Sequence, residues 1–165
     1  PLLQQSLLLL SIVLFVEQCQ IVVESHTGRE GDAIRPRRDT VSIETLLKTY
    51  ETALNANDIE GILALYGSVP VFMPQHAPAL VGRDAVRAGY RQVFDTIKLN
   101  VAFEIHEIQE AGDWAWARTS SAGRTKILAA GIEVTEGNNE LFVFKREGGS
   151  WRIHRYLFAT NQPRA

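Results

Sequence analysis

The side chains able to do chemistry are few, and their spacing narrows what that chemistry can be. The chain has four histidines and one cysteine. Cys19 alone can form no intramolecular disulfide and no cysteine-based metal site. His76, His106 and His154 fall on separate segments, with none of the close pairings of a helical or loop metal motif. No phosphate-cradling Gly-rich loop is present, and sequence order picks out no Ser-His-Asp arrangement. What remains is acid–base and hydrogen-bonding chemistry. His154 alternates with Tyr156, Phe158 and Thr160 on one face of a strand, where an imidazole is a general-base candidate near neutral pH. His76 sits in a turn, and His106 alternates with Glu104 and reads as exposed. Arg118 alternates with Trp116 and Ser120, while Ala115, Ala117 and Thr119 form the other face. An arginine aimed into an apolar site needs a carboxylate from the protein or from a ligand.

These residues need a scaffold, and the hydrophobic periods supply one. Ile43, Leu46, Leu47, Tyr50 and Leu54 recur at helical spacing behind Ser42, predicting a helix that ends near Asn57. Asp58 caps a short second helix carrying Ile59, Ile62, Leu63 and Tyr66. Val69 to Met73 reads as a short strand, followed by an irregular turn at Pro74, Ala77 and Pro78. Asp84 caps a third helix with Val86, Tyr90, Val93, Phe94 and Ile97. From there the period becomes two. Leu99 to Ile108, Trp114 to Thr125, Leu141 to Arg146 and Trp151 to Thr160 are strand candidates. Turns are expected at Ala111-Gly112-Asp113, Gly137-Asn138-Asn139 and Gly148-Gly149-Ser150. Lys126 to Val134 reads as an extra hairpin arm. Helices followed by antiparallel strands indicate an α+β fold.

At 165 residues, with 17 Lys and Arg against 19 Asp and Glu, the chain has length for one domain and no basic excess to suggest a nucleic-acid partner. Residues 1–40 read as an N-terminal extension, with an apolar segment at 7–16 and a polar linker from Gly28 to Asp39; the domain spans 41–163. The apolar segment is too short to span a bilayer as a helix. It reads as a packed or interfacial helix, a secretory leader, or upstream sequence without a role. The first and last imply a cytoplasmic protein, the second a secreted or periplasmic one.

The element order and several phrases resemble the SnoaL-like and ketosteroid-isomerase-like proteins of the nuclear transport factor 2 superfamily. The phrases are Tyr50 to Asp58, Leu65-Tyr66, Val81-Gly82-Arg83-Asp84-Ala85-Val86, Gly112-Asp113-Trp114-Ala115, Glu140 to Phe144 and Gly149 to Ile153. The resemblance implies a cone-shaped fold, three helices on a curved, mostly antiparallel sheet that encloses a pocket. It matches Tyr50 to an oxyanion-stabilising tyrosine, and Tyr66 and Tyr90 to two supporting tyrosines. It sets Met73 at the general-base position, where a thioether cannot take a proton, so steroid isomerisation is not expected. It turns Trp116, Arg118, Ser120, His154, Tyr156 and Phe158 inward. The expectation is a pocket lined also by Met73 and Phe94, binding a small, partly apolar molecule that bears a carbonyl or carboxylate. Tyr50, Arg118 and His154 would carry any reaction. The alternatives are an acid/base enzyme of isomerase, cyclase or hydrolase type on a polyketide-like substrate, and a dimerisation module. No cofactor or metal is expected. Pairing into a homodimer through the sheet is implied, with Trp151, Ile153 and Leu157 on its outer face.

Overall fold

The computed structural model describes residues 41–162, so the apolar segment, Cys19 and the linker lie outside the described residues. Ser42 opens the first helix, α1 (Ile43–Asn55), its hydroxyl accepting from the Thr45 amide at 3.2 Å. That bond satisfies an N–H that the first helical turn leaves without a partner. Asp58 does the same for α2 (Ile59–Leu65) through the Gly61 amide at 2.9 Å. The third helix, α3 (Arg83–Thr96), starts behind Gly82 at φ 89 without a side-chain cap; Asp84, expected as that cap, is instead a residue of the first turn. Each helix buries the stripe its spacing anticipates: Ile43, Leu46, Leu47, Tyr50 and Leu54 on α1, Ile62 and Leu63 on α2, and Val86, Tyr90 and Phe94 on α3.

Six strands form one open sheet: β1 (Tyr66–Met73), β2 (Leu80–Val81), β3 (Ile97–Ala111), β4 (Trp114–Ile127), β5 (Ile132–Glu147) and β6 (Ser150–Thr160). Their order is β2-β1-β6-β5-β4-β3, and every neighbouring pair is antiparallel except β1 with β6. The three helices pack on one face, as the α+β reading expects. β3 is an edge strand. Side chains from α1 cover part of its open backbone: Asn55 donates to Val101 O at 2.8 Å and accepts from Val101 N at 2.9 Å, and Glu51 accepts from Phe103 N at 2.8 Å. At Val101 and Phe103 these side chains take the place of a neighbouring strand.

Three expectations about the strands are corrected. Gly137-Asn138-Asn139 is not a turn, because β5 runs through it unbroken and pairs residue by residue with β4. The chain leaving β6 crosses at Gly137, where the Asn161 amide donates to Gly137 O at 3.0 Å. The hairpin arm expected at Lys126 to Val134 is the far end of the same long β4 and β5 strands, turning at residues 128–131. The third correction concerns β6. His154 is an extra residue, since Val143 pairs with Arg155 and Phe144 with Ile153. This bulge reverses the alternation, so Trp151 and Ile153 are core residues, 4% and 0% exposed, not members of an outer patch.

Candidate functional site

Strand register assembles the site. On the inner face of β5, Glu136, Asn138, Glu140, Phe142 and Phe144 follow at every second residue. β4 sets Gly123, Ser121, Thr119, Ala117 and Ala115 directly opposite them. The β4 residues are small, so space remains between the sheet and the helices. Tyr50 and Leu54 of α1, Tyr90 and Val93 of α3, Phe72 of β1, Gln75 after it, and Tyr156 and Phe158 of β6 close the walls. The result is a cavity of about 180 Å³, floored by Ile97, Leu99 and Val101. It is small compared with sites for drug-sized molecules.

One wall is a network of phenols. The Tyr50 and Tyr90 hydroxyls lie 2.8 Å apart and those of Tyr66 and Tyr90 2.9 Å apart, all three residues buried. Burial is the main reason the pKa of each stays well above its ordinary value, as does that of Tyr156. They act as neutral donors and acceptors at physiological pH.

The opposite wall is acidic. Glu140 is 4% exposed, and its carboxyl accepts from the Thr119 hydroxyl at 2.7 Å and from the Tyr156 hydroxyl at 3.2 Å. Burial raises its pKa to about 7, although the hydrogen bonds from Thr119, Ser121 and Tyr156 oppose the shift; the charge of Glu136 adds to it. Glu136 itself accepts from Thr125 and, at 3.3 Å, from the Asn138 amide nitrogen. That nitrogen also lies 3.4 Å from Ser121 Oγ, while the Asn138 carbonyl oxygen is buried without a partner. Among the described residues no lysine, arginine or histidine lines the cavity. A carboxyl group poised near neutrality beside a small apolar space can give or take a proton.

The residues singled out from sequence divide between two faces. Tyr50, Tyr90, Tyr156 and Phe158 line the cavity; Tyr66 stands behind Tyr90, and Phe94 packs against Tyr90 with ring centres 6.1 Å apart. Arg118 is on the outer face, its side chain 55% exposed and paired with Glu107 at 2.9 Å. Trp116 and Ser120 share that face. Trp116 is 38% exposed, and Ser120 is bonded to His106 at 2.8 Å. The inward turn expected of these three is therefore corrected: the small residues at 115, 117, 119 and 121 face the helices, and bulky Trp116 and Arg118 cannot. Met73 lies in register with Leu157, Leu141 and Arg118, and so also faces out, into a separate groove beside His76. His154, carried out by the β6 bulge, meets the Trp114 ring edge-on at 5.0 Å. Burial first, then Arg155 and Lys145, lowers its pKa.

Glu136 and Glu140 did not emerge as site residues from the sequence. The signal was there: the inward phase of Phe144 and Phe142 extends back through Glu140, Asn138 and Glu136, provided Gly137 does not end the strand. Among the described residues no three metal-binding side chains come together, and no helix is long and apolar enough to cross a membrane.

A model of the SnoaL-like domain matches residues 47–154. The fold is shared with a ketosteroid isomerase-like protein from Erwinia carotovora, 34% identical, at a TM-score of 0.70 over 73% of this chain and 95% of that one. It is shared also with a candidate dehydratase of the NTF2-like family from Streptomyces avermitilis, 15% identical, at a TM-score of 0.64 over 73% and 95%. A structure from Planctomyces limnophilus, 18% identical, superposes with a TM-score of 0.64 over 72% and 94%. No curated protein matches the chain.

Proposed function

The chain belongs to the SnoaL-like domain family, and from that premise we propose that its cavity binds a small, partly apolar molecule and exchanges a proton with it through Glu140. The observation that carries this reading is the Glu140 carboxyl itself, buried in the cavity wall with a pKa raised to about 7. A group at that value is available both as acid and as base at neutral pH. Thr119 and Tyr156 hold the carboxyl in place. The phenols form one chain of donors, Tyr66 to Tyr90, Tyr90 to Tyr50 and Tyr50 to Tyr156, which in turn donates to Glu140. Arg118 and His154 have no part in this reading, and neither does the Met73 position. The described residues of the cavity wall include no cation, so among them a carboxylate on the bound molecule finds no counter-charge.

The test is a thermal-shift screen against small cyclic ketones, alcohols, amines and carboxylic acids. At least one class should raise the melting temperature in a concentration-dependent way. Val101→Phe, which fills the floor, should abolish the shift while keeping the native circular dichroism spectrum. Glu140→Gln should remove the titration near pH 7 from binding. No binding by any class, or binding indifferent to Val101→Phe, would overturn the reading.

A second observation supports self-association. Trp114, Trp116, Leu141 and Leu157 on the outer face of the sheet are 38–44% exposed. Charges of both signs border them, Arg118 with Glu107 and Lys145 over the Trp114 ring. An apolar face with mixed charges at its rim suits a second copy of itself across a two-fold axis.

A further inference from the structure

The apolar inner face of the sheet does not stop at the cavity. Successive rows across β3, β4 and β5 are Val101-Gly123-Glu136, Leu99-Thr125-Val134 and Ile97-Ile127-Ile132. These residues share the face that Glu140 and Phe142 occupy further along β5, because the pairing runs through this stretch without a register shift. Val101, Leu99 and Ile97 form the cavity floor. The far ends of the last two rows lie outside it: Val134 is 39% exposed, Ile132 53%, and Leu128 in the turn 44%. A sheet face left to water ordinarily carries polar residues. Here the polar residues are on the opposite face, where Lys98-Lys126-Glu133 and Asn100-Arg124-Thr135 are all exposed. The strands keep the alternation of a covered sheet to their ends, in a stretch whose apolar side no described element covers.

Two observations join this strip to the cavity. Of the residues lining the cavity, Gln75, Val93, Ile97, Glu136 and Phe158 are half-buried and the others buried, so its mouth lies among those five. Ile97 belongs both to the mouth and to the last row of the strip. The Leu128 amide donates to the Thr96 carbonyl at 3.0 Å, which ties the hairpin turn to the end of α3, the helix that carries Val93.

We propose that the bound molecule is an amphiphile, with an oxygen-bearing head in the cavity and an unbranched alkyl chain that leaves by the mouth and lies along Ile97, Ile127, Ile132 and Val134. The inference rests on the pocket reading above and names the class of molecule that the pocket accepts. A cavity of about 180 Å³ holds the head and the first carbons. Val101 to Ile97 spans about 13 Å of strand, so only a chain that outlasts the cavity reaches the strip. The strip is continuous with the cavity floor, and an alkyl chain needs no hydrogen-bond partner there.

The test is calorimetric titration of the full chain with four straight-chain primary alcohols, butanol, hexanol, octanol and decanol. Affinity should rise at every step, about two- to fourfold per methylene, as for carbons that are half to fully removed from water. Ile132→Gln with Val134→Gln changes two exposed side chains and should keep the native circular dichroism spectrum. In that variant octanol and decanol should fall to the affinity of hexanol, while butanol and hexanol bind as before. Affinity that levels off at hexanol in the native chain would overturn the alkyl-chain assignment and leave the pocket standing. So would a gain per methylene that the double substitution does not change. A native oligomer that the double substitution dissociates, with that gain unchanged, would assign the strip to a second copy of the chain instead. If none of the four alcohols binds, the pocket reading falls and the alkyl chain with it.

Discussion

Glu140 stands where opposing demands on a carboxyl group meet. Burial disfavours its charge, while Thr119 and Tyr156 donate to it and favour that charge; burial wins, and the pKa rises to about 7 from 4.5. A folded-state pKa above the unfolded value means the native state holds the proton more tightly. The resulting stability is fully present below pH 4.5 and is lost as pH rises through 7. The loss is on the order of 3 kcal/mol across that window, at 1.36 kcal/mol per pKa unit. Urea denaturation between pH 4.5 and 8 should show this decline, and Glu140→Gln should flatten it. A profile unchanged by the substitution would mean another group titrates.

At the scale of elements, the cavity depends on how α1 grips the edge strand. Asn55 completes the Val101 backbone pair as a neighbouring strand would, and Val101 and Leu99 form the cavity floor. Asn55→Ala leaves a part-buried N–H and C=O without partners and should cost about 1–3 kcal/mol. Chemical denaturation would measure this. Hydrogen exchange should show Val101 N–H opening before the centre of the sheet. The bulge in β6 is the other deciding element. One extra residue at His154 directs Tyr156 and Phe158 into the cavity and His154 out of it. An ideal strand with the same sequence would have done the reverse for Trp151 and Ile153. Strand alternation read through a bulge is reliable only up to the bulge.

For the molecule as a whole, the two faces of the sheet have separate tasks. The inner face builds the cavity with the helices, and the outer face carries exposed aromatic and aliphatic side chains that no described element covers. Sedimentation equilibrium should give a dimer for the native chain. Trp116→Glu with Leu141→Glu should give a folded monomer with the cavity unaltered. A monomeric native chain would remove the assembly reading and leave the chemistry of the inner face untouched.

The helices, the caps of the first two and most of the sheet were legible in the sequence because local periodicity and capping chemistry specify them. Ser42, Asp58 and the stripe from Ile43 to Leu54 need no distant partner to be read. Tyr50, Tyr66 and Tyr90 were found through family resemblance, and packing brings their hydroxyls together. Which strand face points inward was not legible at Arg118 or His154. That choice depends on the volume facing the helices and on a single extra residue in β6, both properties of strands paired far apart in the chain. The acidic wall was hidden for a related reason. Gly137-Asn138-Asn139 has the composition of a turn, and only pairing with β4 on one side and β6 on the other holds it extended. Local preference marked that tripeptide as a turn; tertiary pairing made it the strand that brings Glu136, Asn138 and Glu140 to the cavity.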